Sequence, residues 1–346
     1  MIDLYSDTTT RPSEGMRRAM YEAEVGDEQR GMDPTVIRLQ EEVTSLLGKE
    51  AALFLPSTTM ANQIAIKLHT EPGDAIIIDA QSHPVYAEAG GAGLISGALF
   101  HTIQTERGIF GPEEALALIQ PPLPIATRTR ALWIENTHNM GGGSVWPLDT
   151  LLSVTQAAKG AGLTLHLDGA RLLNASIASG HSPRTLAAPF DTVSLCLTKG
   201  LGAPVGGLIA GSRELITRAR RYKQALGGAM RQAGVIAAAG LYALKHNVER
   251  LADDHRRARR LAEGLAESPA IDTDPAAVET NMVFFRPAFH ADLGSLRDRL
   301  ASAGVLVSVV RRGTYFRAVT HLDVTDDDIE AAIRVIREIM ESARPK

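Results

Sequence analysis

Sulfur chemistry is nearly absent from this chain, and so are long apolar runs and any strong excess of charge. The single cysteine, Cys196, excludes an internal disulfide and fits a reducing compartment. It lies within Val193-Ser194-Leu195-Cys196-Leu197, where it reads as an inert core side chain rather than a nucleophile. No segment approaches the roughly 18 consecutive apolar residues of a membrane helix. The longest small-apolar run, Ala233 to Leu244, is long enough only for a buried helix in a core or interface. The first residues, Met1-Ile2-Asp3-Leu4-Tyr5-Ser6-Asp7, lack the basic-then-apolar layout of a signal peptide. We therefore expect a cytoplasmic protein without a membrane partner. A formal net charge of −4 over 346 residues leaves no basic footprint for nucleic acid. His138, His166 and His181 show no paired metal-ligand spacing, so no metal site is expected. Gly90-Gly91-Ala92-Gly93 lacks both the full G-x-G-x-x-G pattern and its strand-turn-helix setting, which excludes a dinucleotide fingerprint. There is no internal repeat and no low-complexity linker; Pro121-Pro122-Leu123-Pro124 is a local rigid loop.

What is present is a globular composition, 45% hydrophobic and 22% charged, in a chain longer than one typical core. Two domains are expected: a large one over residues 1–250, with an N-terminal arm over 1–14, and a small one over 251–346. From about residue 34, helical periodicity alternates with short apolar runs. The expected helices are Thr35–Leu47, Thr59–His69 and Leu148–Ala161. The expected strands are Ala51–Leu55, Ala75–Asp79, Arg130–Glu135, Leu163–Leu167 and Thr192–Thr198, with a returning strand over Gly206–Ala210. Such alternation predicts an α/β fold, a mostly parallel sheet with helices on both faces. A long helical region, Glu214 to Leu265, is broken near Gly227-Gly228, and its charged part from Glu249 to Arg260 reads as a solvated face. From Ser268 the pattern is strand, helix, strand, strand, helix, with strands over Asn281–Arg286, Gly304–Val310 and Tyr315–Thr320. That is a small α+β unit.

Two strand ends carry the chemistry. In Leu163 to Arg171 and in Asp191 to Gly200, an apolar run stops at a charged residue followed by glycine, where a parallel strand delivers a group to the edge of its sheet. Taken alone, Lys199 is a surface lysine and Asp168 a turn or cap residue. They stand 31 residues apart, about one βαβ unit, which makes them neighbours. An amine for a Schiff base beside an acid for a pyridinium nitrogen is what pyridoxal phosphate chemistry requires. Arg171 adds a planar fork suited to a carboxylate or a phenolic oxygen. Ser57-Thr58-Thr59, at the start of a helix, offers unpaired N–H groups to a phosphate, although simple N-capping explains it equally. His83 follows the strand ending at Asp79, where an imidazole can stack on a pyridine ring and exchange protons; an ordinary loop histidine is the plainer reading.

With these residues in place, the chain resembles the low-specificity L-threonine aldolase family of fold-type I pyridoxal-phosphate enzymes, in the β-eliminating lyase superfamily. The resemblance runs through Met1-Ile2-Asp3-Leu4, Ser6-Asp7-Thr8, Val25-Gly26-Asp27-Glu28, Asp33-Pro34-Thr35 and Gly48-Lys49-Glu50-Ala51-Ala52. It continues through Glu135-Asn136-Thr137-His138-Asn139, Asp168-Gly169-Ala170-Arg171, Leu197-Thr198-Lys199-Gly200-Leu201, Met230-Arg231-Gln232 and Val319-Thr320-His321-Leu322-Asp323-Val324. It implies a seven-stranded large-domain sheet and an aldehyde-lyase cleaving L-threonine or L-allo-threonine, and β-hydroxy-α-amino acids such as phenylserine, to glycine and an aldehyde. It also implies Lys199 as Schiff-base lysine, Asp168 as pyridinium partner, His83 as ring-stacking histidine, and Thr58 and Thr59 as phosphate binders. Ser6, Arg171 and Arg317 match substrate-carboxylate binders. Arg231 matches an arginine reaching the phosphate of a neighbouring subunit, hence a homotetramer with shared sites. A β-eliminating lyase or racemase on the same scaffold is the alternative, and a non-catalytic cofactor-binding module a third.

The departures from the family pattern are local. Tyr5-Ser6-Asp7 and Gln29-Arg30-Gly31 stand where the family usually reads Arg-Ser-Asp and Val-Tyr-Gly, as though an arginine and a tyrosine had exchanged places. Met32 replaces an acidic residue, Thr58 a glycine, Ile125 a histidine, and Gln224 a lysine for which Lys223 is the available substitute. These changes bear on substrate and on erythro/threo preference, not on the cofactor.

Overall fold

The computed structural model describes residues 1–345, with the backbone alone for Arg312. Seven strands form the central sheet: β1 (Ala51–Leu55), β2 (Ala75–Asp79), β3 (Leu99–Ile103), β4 (Thr129–Glu135), β5 (Thr164–Gly169), β6 (Thr192–Cys196) and β7 (Gly207–Gly211). Their spatial order is β1-β7-β6-β5-β4-β2-β3. Only β7 runs against its neighbours, pairing antiparallel with both β1 and β6. The other contacts are parallel.

The inner strands are near-continuous apolar runs because helices cover both faces. In β4, Leu132 and Ile134 enter a core with Leu39, Trp146 and Leu165, while Ala131 and Trp133 alternate into a second core with Leu53, Ile64 and Ile76. Helix Pro34–Leu47 begins where the Asp33 carboxylate accepts from the N–H groups of Thr35 and Val36 at 3.1 and 3.0 Å. It ends at Gly48 in the left-handed region, φ +64°. Helix Thr58–His69 starts in the same way, its Ser57 hydroxyl accepting from Met60 N–H at 3.1 Å.

A third core belongs to the C-terminal unit. There β8 (Ile271–Thr273), β9 (Met282–Pro287), β10 (Ser308–Val310) and β11 (Tyr315–Val319) form an antiparallel sheet ordered β10-β11-β9-β8. Helices Leu251–Ala266, Leu293–Ser302 and Asp326–Ala343 close its apolar face through Leu261, Leu265, Leu296, Ile333 and Ile336. Leu4 of the N-terminal arm is buried in this core.

Several expectations are corrected. The run Gly304–Val310 is not one strand: Val305–Leu306 pairs in parallel with Ile2–Asp3, and the chain then changes partner to form β10. The expected strand Thr192–Thr198 stops at Cys196, so Lys199 stands in the turn beyond it. The helical region after β7 breaks twice, giving Arg213–Ala225, Gly234–His246 and Leu251–Ala266. Its charged segment is more than a solvated face, because Arg256 and Arg257 pair with Asp326, and Arg260 with Glu330, on the last helix.

Candidate active site

The C-terminal ends of β1, β2, β4, β5 and β6 open on one edge of the sheet, where open α/β folds place their ligands. A cavity of about 210 Å³ lies there, lined by Thr58, Thr59, His83, Asp168, Arg171 and Lys199. A larger groove of about 640 Å³, along helix Pro34–Leu47, gathers Lys49, Arg184 and Arg220, and none of the strand-end groups reaches it.

Asp168 sits at the end of β5, opposite Ser194 of β6, and is buried. One carboxylate oxygen accepts from Ala170 N–H at 3.1 Å and the other from the Asn62 amide at 2.7 Å. The Lys199 turn is tied down from outside: the Thr10 hydroxyl donates to the Lys199 carbonyl at 2.9 Å, and Asn247 to that of Leu201 at 2.8 Å. The amine therefore rises from a fixed backbone.

At the start of helix Thr58–His69, Ser57 is occupied as the cap, whereas the Thr58 hydroxyl oxygen is buried without a hydrogen-bond partner among the described residues. Close packing creates this position: a Cβ on Gly207 would come within 2.7 Å of that oxygen. An orphaned hydroxyl at a helix N-terminus fits a phosphate group. A buried carboxylate 31 residues before the lysine fits the protonated ring nitrogen of pyridoxal phosphate.

His83 is held at two points. Its backbone N–H donates to Glu135 at 2.8 Å, and its Nδ1 stands 2.8 Å from Glu88 Oε1. Burial pushes the imidazole pKa down, but the hydrogen bond to Glu88 and the charges of Asp168 and Glu88 outweigh it, so the net shift is upward. An outer chamber of about 520 Å³, which shares His83 and Asn139 with the inner cavity, is lined by Tyr5, Tyr86 and Arg317. Arg317 donates to Asn139 Oδ1 at 2.7 Å and to Ser308 Oγ at 3.2 Å. Burial, and then the nearby Arg171 charge, lower its pKa.

The other expected groups are placed differently. Arg171 lines the cavity, but its Nε and one terminal nitrogen grip Asp7 at 2.7 and 2.6 Å, both partners buried. Ser6 lines neither cavity; its hydroxyl oxygen caps a short turn by accepting from Thr8 N–H and the Thr8 hydroxyl. Arg231 is exposed and pairs with Asp27 at 3.1 Å, away from its own chain's cavity. Lys223 is buried against Glu28 at 2.5 Å and is no substitute for the lysine replaced by Gln224. Ile125 is 95% exposed on its loop. Tyr5 lines the outer chamber whereas Arg30 faces Asp27, and among the described residues no hydrogen bond joins the two. His138 is structural: its Nδ1 accepts from Gly141 N–H at 3.0 Å, leaving Nε2 to donate to Asp79 at 3.1 Å. Among the described residues no group of three or more metal-ligating side chains comes together.

Sequence reasoning missed Glu88, Asn62 and Asn139 as parts of the site. Asn139 stood inside a motif quoted for the resemblance, and Asn62 in the helix after Thr59. Glu88 carried no periodicity at all, only the two glycines that follow Ala89.

The fold recurs in solved structures. Threonine aldolase from Leishmania major superposes with a TM-score of 0.84 over 98% of this chain and 100% of that one, at 20% identity. Serine palmitoyltransferase from Sphingomonas wittichii gives 0.75 over 99% and 87%, at 18% identity. At these identities the likeness is one of fold. The β-eliminating lyase family model matches residues 3–288. Low-specificity L-threonine aldolase from Escherichia coli K12 is 41% identical over 95% of this chain and 96% of its own. Low-specificity L-threonine aldolase 1 from Arabidopsis thaliana is 41% identical over 98% and 96%. Architecture and site together define a pyridoxal-phosphate-dependent lyase of fold type I. Within that class, the chain belongs to the low-specificity L-threonine aldolase family.

Proposed function

We propose that this protein cleaves L-threonine and L-allo-threonine to glycine and acetaldehyde by a retro-aldol reaction. We extend the proposal to other β-hydroxy-α-amino acids such as phenylserine, and to a cytoplasmic homotetramer with sites shared between chains. The observation that carries the reading is the meeting of Lys199, Asp168, His83 and the unpartnered Thr58 hydroxyl in one small cavity. Pyridoxal phosphate, when bound, supplies an aldehyde for the amine and a ring that accepts the electron pair of the breaking bond. Lys199 is the amine that holds it. Thr58 and Thr59 hold the phosphate, and Asp168 keeps the proton on the ring nitrogen.

The chain's own groups then choose the bond. Arg317, steadied by Asn139 and Ser308, grips the substrate carboxylate. That grip would fix rotation about the substrate's amine bond and so choose which bond at Cα breaks. Because Nδ1 of His83 is engaged by Glu88, Nε2 is the atom left to take the β-hydroxyl proton. Arg171, committed to Asp7, anchors the N-terminal arm beside the site, and its remaining nitrogen is available to the substrate.

A coupled acetaldehyde assay on the four threonine isomers tests the proposal. Glycine and acetaldehyde are expected, whereas oxobutyrate and ammonia would point to an eliminating lyase, and no turnover across a β-hydroxy amino acid panel to a non-catalytic module. Lys199→Ala should lose the visible cofactor band and cut kcat/KM by roughly a thousandfold or more while folding normally.

A further inference from the structure

Behind His83 lies a carboxylate that the reaction itself does not touch. The Glu88 side chain has no solvent exposure. Its Oε2 accepts from Gln63 Nε2 at 2.6 Å, while its Oε1 accepts from Asn62 Nδ2 at 2.8 Å and faces His83 Nδ1 at 2.8 Å. Asn62 gives its second N–H to Asp168 at 2.7 Å, and its carbonyl oxygen accepts from the Ser194 hydroxyl at 2.9 Å. One amide thus stands between two buried carboxylates. Turned over, it would set its oxygen against both of them, so its orientation is fixed.

The backbone around Glu88 is built to the same end. Ala89, the next residue, has φ +53°, a left-handed conformation that costs a non-glycine residue free energy and persists only where its surroundings impose it. Two residues further, a Cβ on Gly91 would come within 2.6 Å of the Gln63 amide that holds Glu88. Burying a charge is unfavourable unless it is fully hydrogen-bonded, and an apolar side chain of similar size would fill this space at less cost. A carboxylate here is explained by what it does to its neighbour.

We propose that Glu88 is the positioning residue for His83. Fixed by Asn62 and Gln63, it keeps the imidazole proton on Nδ1, turns Nε2 to the cavity, and ties the imidazole to Asp168 through the Asn62 amide. This rests on the reading of His83 as the group that takes the substrate's hydroxyl proton. The charges that face His83 are Glu88 from the loop after its own helical turn, Asp168 from β5, Glu135 from β4 and Lys199 from the turn after β6. Of these, Glu88 is in direct contact with the ring.

The test is Glu88→Gln, which keeps size, removes the charge and, with the Gln63 amide turned over so that its otherwise unpaired Oε1 accepts from the new N–H, keeps the hydrogen bonds, with Glu88→Asp as the charge-retaining companion. The His83 imidazole is followed by ¹⁵N NMR in protein labelled at histidine, with and without cofactor, its signal assigned by its loss in His83→Asn. In the unaltered protein the neutral ring should carry its proton on Nδ1. In Glu88→Gln the titration midpoint should fall by about one pH unit or more. With it, kcat for threonine should drop about ten- to hundredfold while KM stays within about threefold. Glu88→Asp should recover most of the midpoint. An unchanged midpoint in Glu88→Gln, or a neutral His83 protonated on Nε2 in the unaltered protein, overturns the proposal. So does a loss of kcat without a change in titration, which would mark Glu88 as merely structural. If threonine yields no acetaldehyde, the assigned reaction fails, and the titration by itself still decides the role of Glu88.

Discussion

Asp7 shows how a single side chain outside the sheet shapes the site. Its carboxylate meets the Arg171 fork with both oxygens and also accepts from Asn281 at 3.3 Å, all three residues buried. Burial raises the pKa of Asp7, but the Arg171 charge and hydrogen bond, then the Lys199 charge, overcome it and hold the carboxyl well below the usual carboxylate range. Replacing it with asparagine leaves Arg171 buried without a counter-charge, which costs about 3–5 kcal/mol. Asp7→Asn should lower the urea midpoint accordingly, and a variant within about 1 kcal/mol of the parent would contradict this pairing. Asp7 was visible in the sequence only as one letter of Ser6-Asp7-Thr8, while Lys199 and Asp168 announced themselves by ending apolar runs. Arg171 was legible by its spacing after Asp168, whereas its partner, 164 residues away in the chain, was not.

At the scale of elements, helix Thr58–His69 does more than cap a phosphate. Asn62 and His69 are seven residues apart, two turns, and so share a face. Asn62 meets Asp168 and Ser194, and His69 Nε2 meets the Thr192 hydroxyl at 2.7 Å, which also contacts His166 Nδ1 at 2.7 Å. Trp133 packs on His166 with ring centroids 3.9 Å apart. One hydroxyl can join two neutral imidazoles, donating to one and accepting from the other. Burial pulls the pKa of His69 down to about 4, and that of His166 well below its ordinary value. The unfolded chain therefore takes up protons near pH 6.5 that the folded protein refuses. The stability is fully present above pH 6.5 and is lost as the pH falls toward 4, by roughly 3 kcal/mol for His69 alone. Urea midpoints measured from pH 7 to 4.5 should fall, and His69→Gln should flatten that slope; a parent protein insensitive to pH over this range would refute the account. The helix and the inner strands were legible because their apolar runs are continuous. β3 was not, because at the sheet edge Leu99 is 50% exposed and His101 and Thr102 interrupt the pattern, so no apolar run marks it.

Across the whole molecule, the N-terminal arm joins what the chain order separates. Ile2–Asp3 pairs with Val305–Leu306, Leu4 enters the C-terminal core, Asp7 holds Arg171, and Thr10 holds the Lys199 turn. The alternation of helix and strand foretold the large sheet, but no local signal foretold a first strand pairing with residues some three hundred positions later. Arg231 poses the corresponding question between chains. It is exposed, its partner within the chain is Asp27, and it does not line its own cavity, so a role at the phosphate requires a neighbouring copy. Mixing subunits distinguishes the possibilities. A subunit carrying Lys199→Ala keeps its arginine, and one carrying Arg231→Ala keeps its lysine. If each site takes its lysine from one chain and its arginine from the next, every mixed pair contains one intact site and one doubly altered site. Random reassembly of equal amounts then restores about a quarter of the parent activity. If both residues serve the same chain, no mixed pair contains an intact site, and the mixture is no more active than the average of its two components. Unfolding and refolding the two variants together, then measuring acetaldehyde release against each refolded alone, decides between a shared site and a self-contained one.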